Sequence, residues 1–156
     1  MTITHDAPPI FPLGTTTVTF SATDSANNTG TATATVTVQD SGVPIVTAPA
    51  NITVAASDAS GTPATDATIT AFLNGASATD NVDTSLTITH NAPAIFPLGI
   101  TTVTFSATDS ANNTGTATPT VTVQDGGVPV VTAPANITVA ASDASGTLAT
   151  AATIND

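Results

Sequence analysis

Phe96-Pro97-Leu98-Gly99-Ile100-Thr101-Thr102-Val103-Thr104-Phe105-Ser106-Ala107-Thr108-Asp109 occurs twice in this chain, the other copy being Phe11–Asp24 with a single substitution, Thr15 for Ile100. Within it Val103, Phe105 and Ala107 alternate with Thr102, Thr104, Ser106 and Thr108. An apolar residue at every second position marks a strand with one buried and one wet face. The alternation resumes over Thr116–Gln124, where Ala117, Pro119, Val121 and Val123 share a side. Between the two runs lies Asp109-Ser110-Ala111-Asn112-Asn113-Thr114-Gly115, dense in turn formers, so the pair reads as a β-hairpin. Thr16–Gln39 reads the same way in the first copy.

The duplication extends beyond the hairpin. Residues 2–71 overlie 87–156 at a fixed spacing of 85 with 60 of 70 positions identical. A period of this size fixes the architecture as modules in series. Further strands are expected at Ile45–Val46, Ile52–Ala55, Ala67–Leu73 and Leu86–Thr89, and no stretch carries helical periodicity. Short strands separated by turns every 8–12 residues predict an all-β fold, an antiparallel β-sandwich repeated in tandem. Asp40-Ser41-Gly42-Val43-Pro44 and Asp125-Gly126-Gly127-Val128-Pro129 are the natural junctions, short and rich in Gly and Pro. On this division 43–125 is one complete module, 1–40 the C-terminal half of a preceding one, and 126–156 the N-terminal half of the next.

The residues that open and close the module carry a resemblance. Pro44-Ile45-Val46, Pro49-Ala50-Asn51-Ile52-Thr53-Val54, Ala78-Thr79-Asp80-Asn81, Phe96–Asp109 and Val121-Thr122-Val123-Gln124-Asp125 together resemble the hyalin repeat (HYR) family. The resemblance implies an immunoglobulin-like sandwich and work outside the cell in adhesion or matrix, in tandem arrays of bacterial-type surface proteins. The chain departs from the family pattern at Ala48 and Ala133, where a cysteine is common, and at Phe20 and Phe105, where the family's strand aromatic is Tyr.

Composition excludes several function classes. The chain has eleven Asp and neither Glu, Lys nor Arg, for a net charge of −11. Phosphate recognition needs basic side chains, so nucleic acid is excluded as a partner. Adsorption to an anionic membrane fails for the same reason, and no apolar run reaches the length of a membrane span. Cys is absent, which removes disulfides and thiolate metal sites. The start, Met1-Thr2-Ile3-Thr4-His5-Asp6-Ala7, lacks the basic and apolar regions of a signal peptide, so an exported protein would contain this chain as a mature piece or fragment.

Acid without base gives an appetite for cations. Calcium takes oxygen ligands alone, and the candidates are Asp80 and Asp83, which flank Asn81, together with Asp109 and the junction residues Asp40 and Asp125. No Asp-x-Asp-x-Asp-Gly loop is present, and turn chemistry accounts for Asp and Asn at the same positions. No other cofactor is expected. His5 and His90 are equivalent positions one module apart and do not converge, so no catalytic triad and no enzyme is expected. The threonine rows Thr31–Thr37 and Thr116–Thr122 read as the wet faces of strands; a flat ice-binding array is disfavoured because sandwich sheets twist. Asn27, Asn51, Asn112 and Asn136 stand in Asn-x-Thr acceptor patterns, which abundant Thr produces by chance.

The working parts are therefore an apolar face (Ile52, Val54, Ile69, Ile88, Phe96, Val103, Phe105, Val121, Val123), the junction residues Asp40, Gly42, Pro44, Asp125, Gly127 and Pro129, and exposed strand edges. The function expected is a structural stalk or filament at the cell surface, whose partner is another copy of itself. Head-to-tail pairing of half-modules by strand addition would assemble it. The alternative is an adhesion module that grips a glycan or host protein through its loops.

Overall fold

The computed structural model describes residues 1–138, 140–141 and 143–146. Met1–Gly126 and Gly127–Asp156 are separate compact units. The first unit begins with β1 (Ile3–His5), β2 (Gly14–Thr23) and β3 (Thr29–Val38), which form one three-stranded sheet in the order β1-β2-β3. The β2–β3 hairpin runs uninterrupted from Gly14 opposite Val38 to Thr23 opposite Thr29, where the sequence places it.

Beyond the junction come β4 (Ile45–Thr47), β5 (Ile52–Ala55), β6 (Thr62–Pro63), α1 (Ala67–Leu73), β7 (Ser77–Thr79), β8 (Ile88–His90), β9 (Ile95–Phe96), β10 (Gly99–Thr102), β11 (Phe105–Thr108), β12 (Thr114–Ala117) and β13 (Thr120–Gln124). Two three-stranded sheets, β10-β13-β5 and β12-β11-β8, enclose the core, with the small pairs β4-β7 and β6-β9 beside them. The pairing is antiparallel as expected, apart from β5 against β13, which run parallel from Ile52 opposite Val121 to Ala55 opposite Gln124. The side chain of Asn51 secures the start of that pair by accepting the Thr120 N–H at 2.9 Å.

The same sequence makes one hairpin in the first copy and parts of two sheets in the second. Pro119 stands where the first copy has Ala34. Proline has no N–H to give to a ladder. The Pro119 carbonyl still accepts from Val103 at 2.9 Å, and there the strands divide. Val121 and Val123 go to one sheet while Phe105 and Ala107 stay with the other. The two sheets then face each other across a core of Ile69, Phe72, Phe96, Val103, Phe105, Val121 and Val123. Ile52, Val54 and Ile88 of the expected apolar face are half-buried around it.

Ala67–Leu73 is a helix, not the strand expected from its β-branched residues. Asp66 caps its N-terminus by accepting from the N–H groups of Thr68 (2.9 Å) and Ile69 (3.2 Å). Ile69, Phe72 and Leu73 stand at i, i+3 and i+4, so they reach the core from one side of a helix but not from one side of a strand. The capping Asp and that spacing are both visible in the sequence. Over only seven residues, composition outweighed them.

In the second unit the described residues are largely exposed, Val128, Val130, Val131 and Ile137 among them. A short bridge joins Asp143 to Gly146, as Asp58 joins Gly61 one module earlier. Residues 139, 142 and 147–156 of the half-module expected at 126–156 lie outside the described residues.

Candidate functional site

The first junction packs down onto the module that follows it. Pro44 is buried, and its carbonyl lies so close to Gly115 on β12 that a Cβ there would collide with it. Gly42 is likewise pressed against the side chain of Asn81. Glycine at both places allows the connecting segment to lie flush on the module.

This contact brings four of the five acidic candidates together. Asp40 lies two residues past the end of β3, Asp80 and Asp83 stand in the turn after β7, and Asp109 follows β11. One carboxylate oxygen from each lies within 4.8 Å of the others. Asp125, the duplicate of Asp40, is not among them. Asp109 is duplicated at Asp24, whereas Asp80 and Asp83 have no duplicate within the 156 residues.

The turns supply part of each carboxylate's hydrogen bonding. Asp40 Oδ1 accepts from the Gly42 N–H at 2.9 Å. Asp80 Oδ2 accepts from Val82 (2.8 Å) and Asp83 (3.2 Å). Asp83 Oδ2 takes the N–H and the hydroxyl of Ser110 at 3.0 and 2.9 Å. Asp109, 7% exposed, accepts from the Asn113 backbone at 2.7 Å and from its side chain at 2.8 Å. The Asn113 amide also reaches the Asp40 carbonyl at 3.5 Å, which links the β11–β12 turn to the junction. Two oxygens are left over: Asp40 Oδ2 and Asp80 Oδ1 are sealed from solvent without a hydrogen-bond partner.

The duplicate of Asp109 is Asp24, with the same bonds to Asn28 at 2.9 and 3.0 Å. Those bonds, the Asn28 side chain first, hold the Asp24 carboxyl below its ordinary value. Among the described residues Asp24 has no companion carboxylates of the kind that Asp40, Asp80 and Asp83 supply to Asp109.

A second feature is a sheet face covered only in part: Val18 on β2 is buried, but the residues around it are open. Phe105 is fully buried, its ring 5.8 Å from that of Phe72. Its duplicate Phe20 is 39% exposed, and Ile3 and Val36 beside it on the β1-β2-β3 sheet are exposed too. Over Phe105 the cover comes from residues 46–73. Ile69 and Phe72 bury themselves there, and Val46, Ala48, Ile52, Val54 and Leu73 pack around them.

The histidines do structural work. Nδ1 of His5 accepts from the Ala7 N–H at 3.2 Å, Nδ1 of His90 from Ala92 at 3.3 Å, and each ring lies about 6 Å from its Phe neighbour, at 6.0 and 5.9 Å. Threonine hydroxyls pair across strands, Thr15 with Thr37 at 3.2 Å, Thr23 with Thr29 at 2.9 Å and Thr108 with Thr114 at 2.8 Å. Sequence reasoning missed Phe72 as a core residue, along with Asn113 and Ser110 as groups that tie the acidic turns together.

Facing sheets of short, mostly antiparallel strands around one apolar core define an all-β module. The model of the HYR domain family matches residues 40–123, and the chain belongs to that family. The chain is also similar to Hyalin of Lytechinus variegatus, with 34% identity over 137 residues. That alignment takes in 84% of this chain and 25% of Hyalin, so the chain spans about a quarter of that relative's length. No helix among the described residues is long and apolar enough to cross a membrane.

Proposed function

We propose that this chain is a structural, non-enzymatic repeat of an extracellular array, a stalk or filament in adhesion or matrix. In such an array each C-terminal half-sheet is covered by the N-terminal half of a HYR module. The observation that supports this reading most directly is the contrast between duplicates: Phe105 is 0% exposed and Phe20 is 39% exposed. The covering groups are apolar residues such as Val46 and Ile52, and their duplicates Val131 and Ile137 are 89% and 52% exposed. Each half thus presents the surface that its counterpart buries in a complete module. Burial of apolar area drives such a union, and backbone pairing of the β5–β13 kind fixes its register. The occupant of the β1-β2-β3 face is therefore the N-terminal half of this same module type, and between separate chains the contact runs head to tail and extends without closing. Location outside the cell and a role in adhesion rest on HYR membership and on the similarity to Hyalin.

The test is electron microscopy of the concentrated 156-residue chain, paired with its mass distribution in solution. Filaments and masses in multiples of 15.1 kDa are expected. Phe20→Asp, which places a charge on the partly covered face, should leave monomers. A wild-type chain that stays monomeric at every concentration would sink chain-to-chain pairing and favour a loop-based adhesion module.

A further inference from the structure

We propose that Asp40, Asp80, Asp83 and Asp109 form a calcium site that locks the junction between successive modules. The four oxygens within 4.8 Å of one another are one ground for this. The unpartnered, solvent-sealed oxygens Asp40 Oδ2 and Asp80 Oδ1 are the other. A buried carboxylate oxygen without a partner is costly, and four carboxylates this close repel one another strongly. A protein ordinarily answers such a cluster with Lys or Arg, and this chain has none of either. The neutralising charge has to come from solution.

The donor set selects the ion. All four side-chain ligands are hard oxygens, with no thiolate in the chain and no histidine in the cluster, which suits Ca²⁺ or Mg²⁺ and disfavours zinc or copper. Oxygens on opposite sides of Ca²⁺ stand about 4.6–5.2 Å apart, whereas around Mg²⁺ they stand about 4.0–4.2 Å apart. A span of up to 4.8 Å accommodates the larger ion. The remaining edges of Asp40, Asp80 and Asp109 are fixed by turn hydrogen bonds, so the carboxylates are already oriented before the ion arrives.

Placement gives the ion its role. Asp40 belongs to the end of one repeat, and Asp80, Asp83 and Asp109 belong to the body of the next. A single ion therefore ties the two together. The inference stands on the cluster alone and does not require filament assembly.

The experiment uses the full chain stripped with EDTA and then titrated with CaCl₂, at constant ionic strength, by calorimetry and by circular-dichroism melting. One Ca²⁺ per chain is expected. In Ca²⁺ at a hundred times the Kd, the melting temperature should rise by roughly 5–10 °C. MgCl₂ at the same concentration should give a smaller shift. Asp40→Asn and Asp80→Asn should each weaken Ca²⁺ binding at least about tenfold, while raising the melting temperature of the metal-free chain because one repelling charge is gone. Asp125→Asn should bind Ca²⁺ like wild type. If one variant does not fold, Asp83→Asn gives the same comparison. Absence of binding heat with unchanged melting would overturn the proposal. So would a calcium response retained in the Asp40 and Asp80 variants, which would mark diffuse screening of the −11 net charge.

Discussion

Phe105 and Phe20 are the same residue in the same strand of two near-identical repeats, which makes them a matched pair for measuring what the N-terminal half contributes. Phe105 is fully buried between Phe72 and His90, at ring distances of 5.8 and 5.9 Å. Truncating a buried Phe to Ala costs about 3–5 kcal/mol, from lost transfer energy and the cavity left behind. A small domain has about 5–15 kcal/mol in total, so Phe105→Ala removes a large fraction of the module's stability. At about 4–8 °C per kcal/mol for a domain of this size, the melting temperature of the module should fall by at least about 12 °C. Phe20 touches the His5 ring at 6.0 Å but is 39% exposed, so Phe20→Ala should cost about 1 kcal/mol or less. Circular-dichroism melts of the two variants at a dilution that prevents association provide the comparison. Equal losses would refute the reasoning, because they would mean that the N-terminal half adds nothing to the burial of this strand. Once association is allowed, Phe20→Ala should become costly too, since covering its face makes Phe20 resemble Phe105.

Two further outcomes follow from other duplicated positions. Gly115→Ala should destabilise the module by about 2 kcal/mol or more, because the new Cβ meets the Pro44 carbonyl, whereas its duplicate Gly30 faces open space and Gly30→Ala should be near neutral; denaturant midpoints of the two variants check this. Asp6 is held below its ordinary value of 3.8, first by the Thr19 N–H that it accepts at 2.7 Å. Its folded-state value is depressed, so its contribution to stability is present above 3.8 and is lost as pH falls through the lowered value. Asn91 accepts from Thr104 at 2.8 Å in the second copy without a charge. Asp6→Asn should therefore keep the bond and abolish the pH dependence, read as the Thr19 amide shift by NMR; a wild-type Thr19 midpoint at or above 3.8 would contradict this.

Local chemistry made the repeat, the hairpins and their turns legible in the sequence. Thr and Ser alternating with apolar residues over 17–22 and 31–38 mark strands from local pattern alone, and Asp24 and Asp109 close identical turns with Asn28 and Asn113. Charge was equally plain: a chain with eleven Asp and no Lys or Arg has to find cations elsewhere. The sequence also marked each member of the acidic cluster as a candidate oxygen donor, Asp80 and Asp83 because they flank Asn81, Asp109 because it precedes Asn112 in a turn, and Asp40 because it stands at a junction. It could not say which would meet. Asp40 and Asp109 are 69 residues apart, and only the packing of Pro44 against Gly115 and of Gly42 against Asn81 draws the junction onto the turns that hold the others. Tertiary context likewise decided the helix at Ala67–Leu73, where an apolar core to be reached by Ile69 and Phe72 overrode the strand preference of Thr and Ile. The same context gave Phe20 and Phe105 opposite environments, because burial depends on what lies across from a strand and not on the strand's own residues.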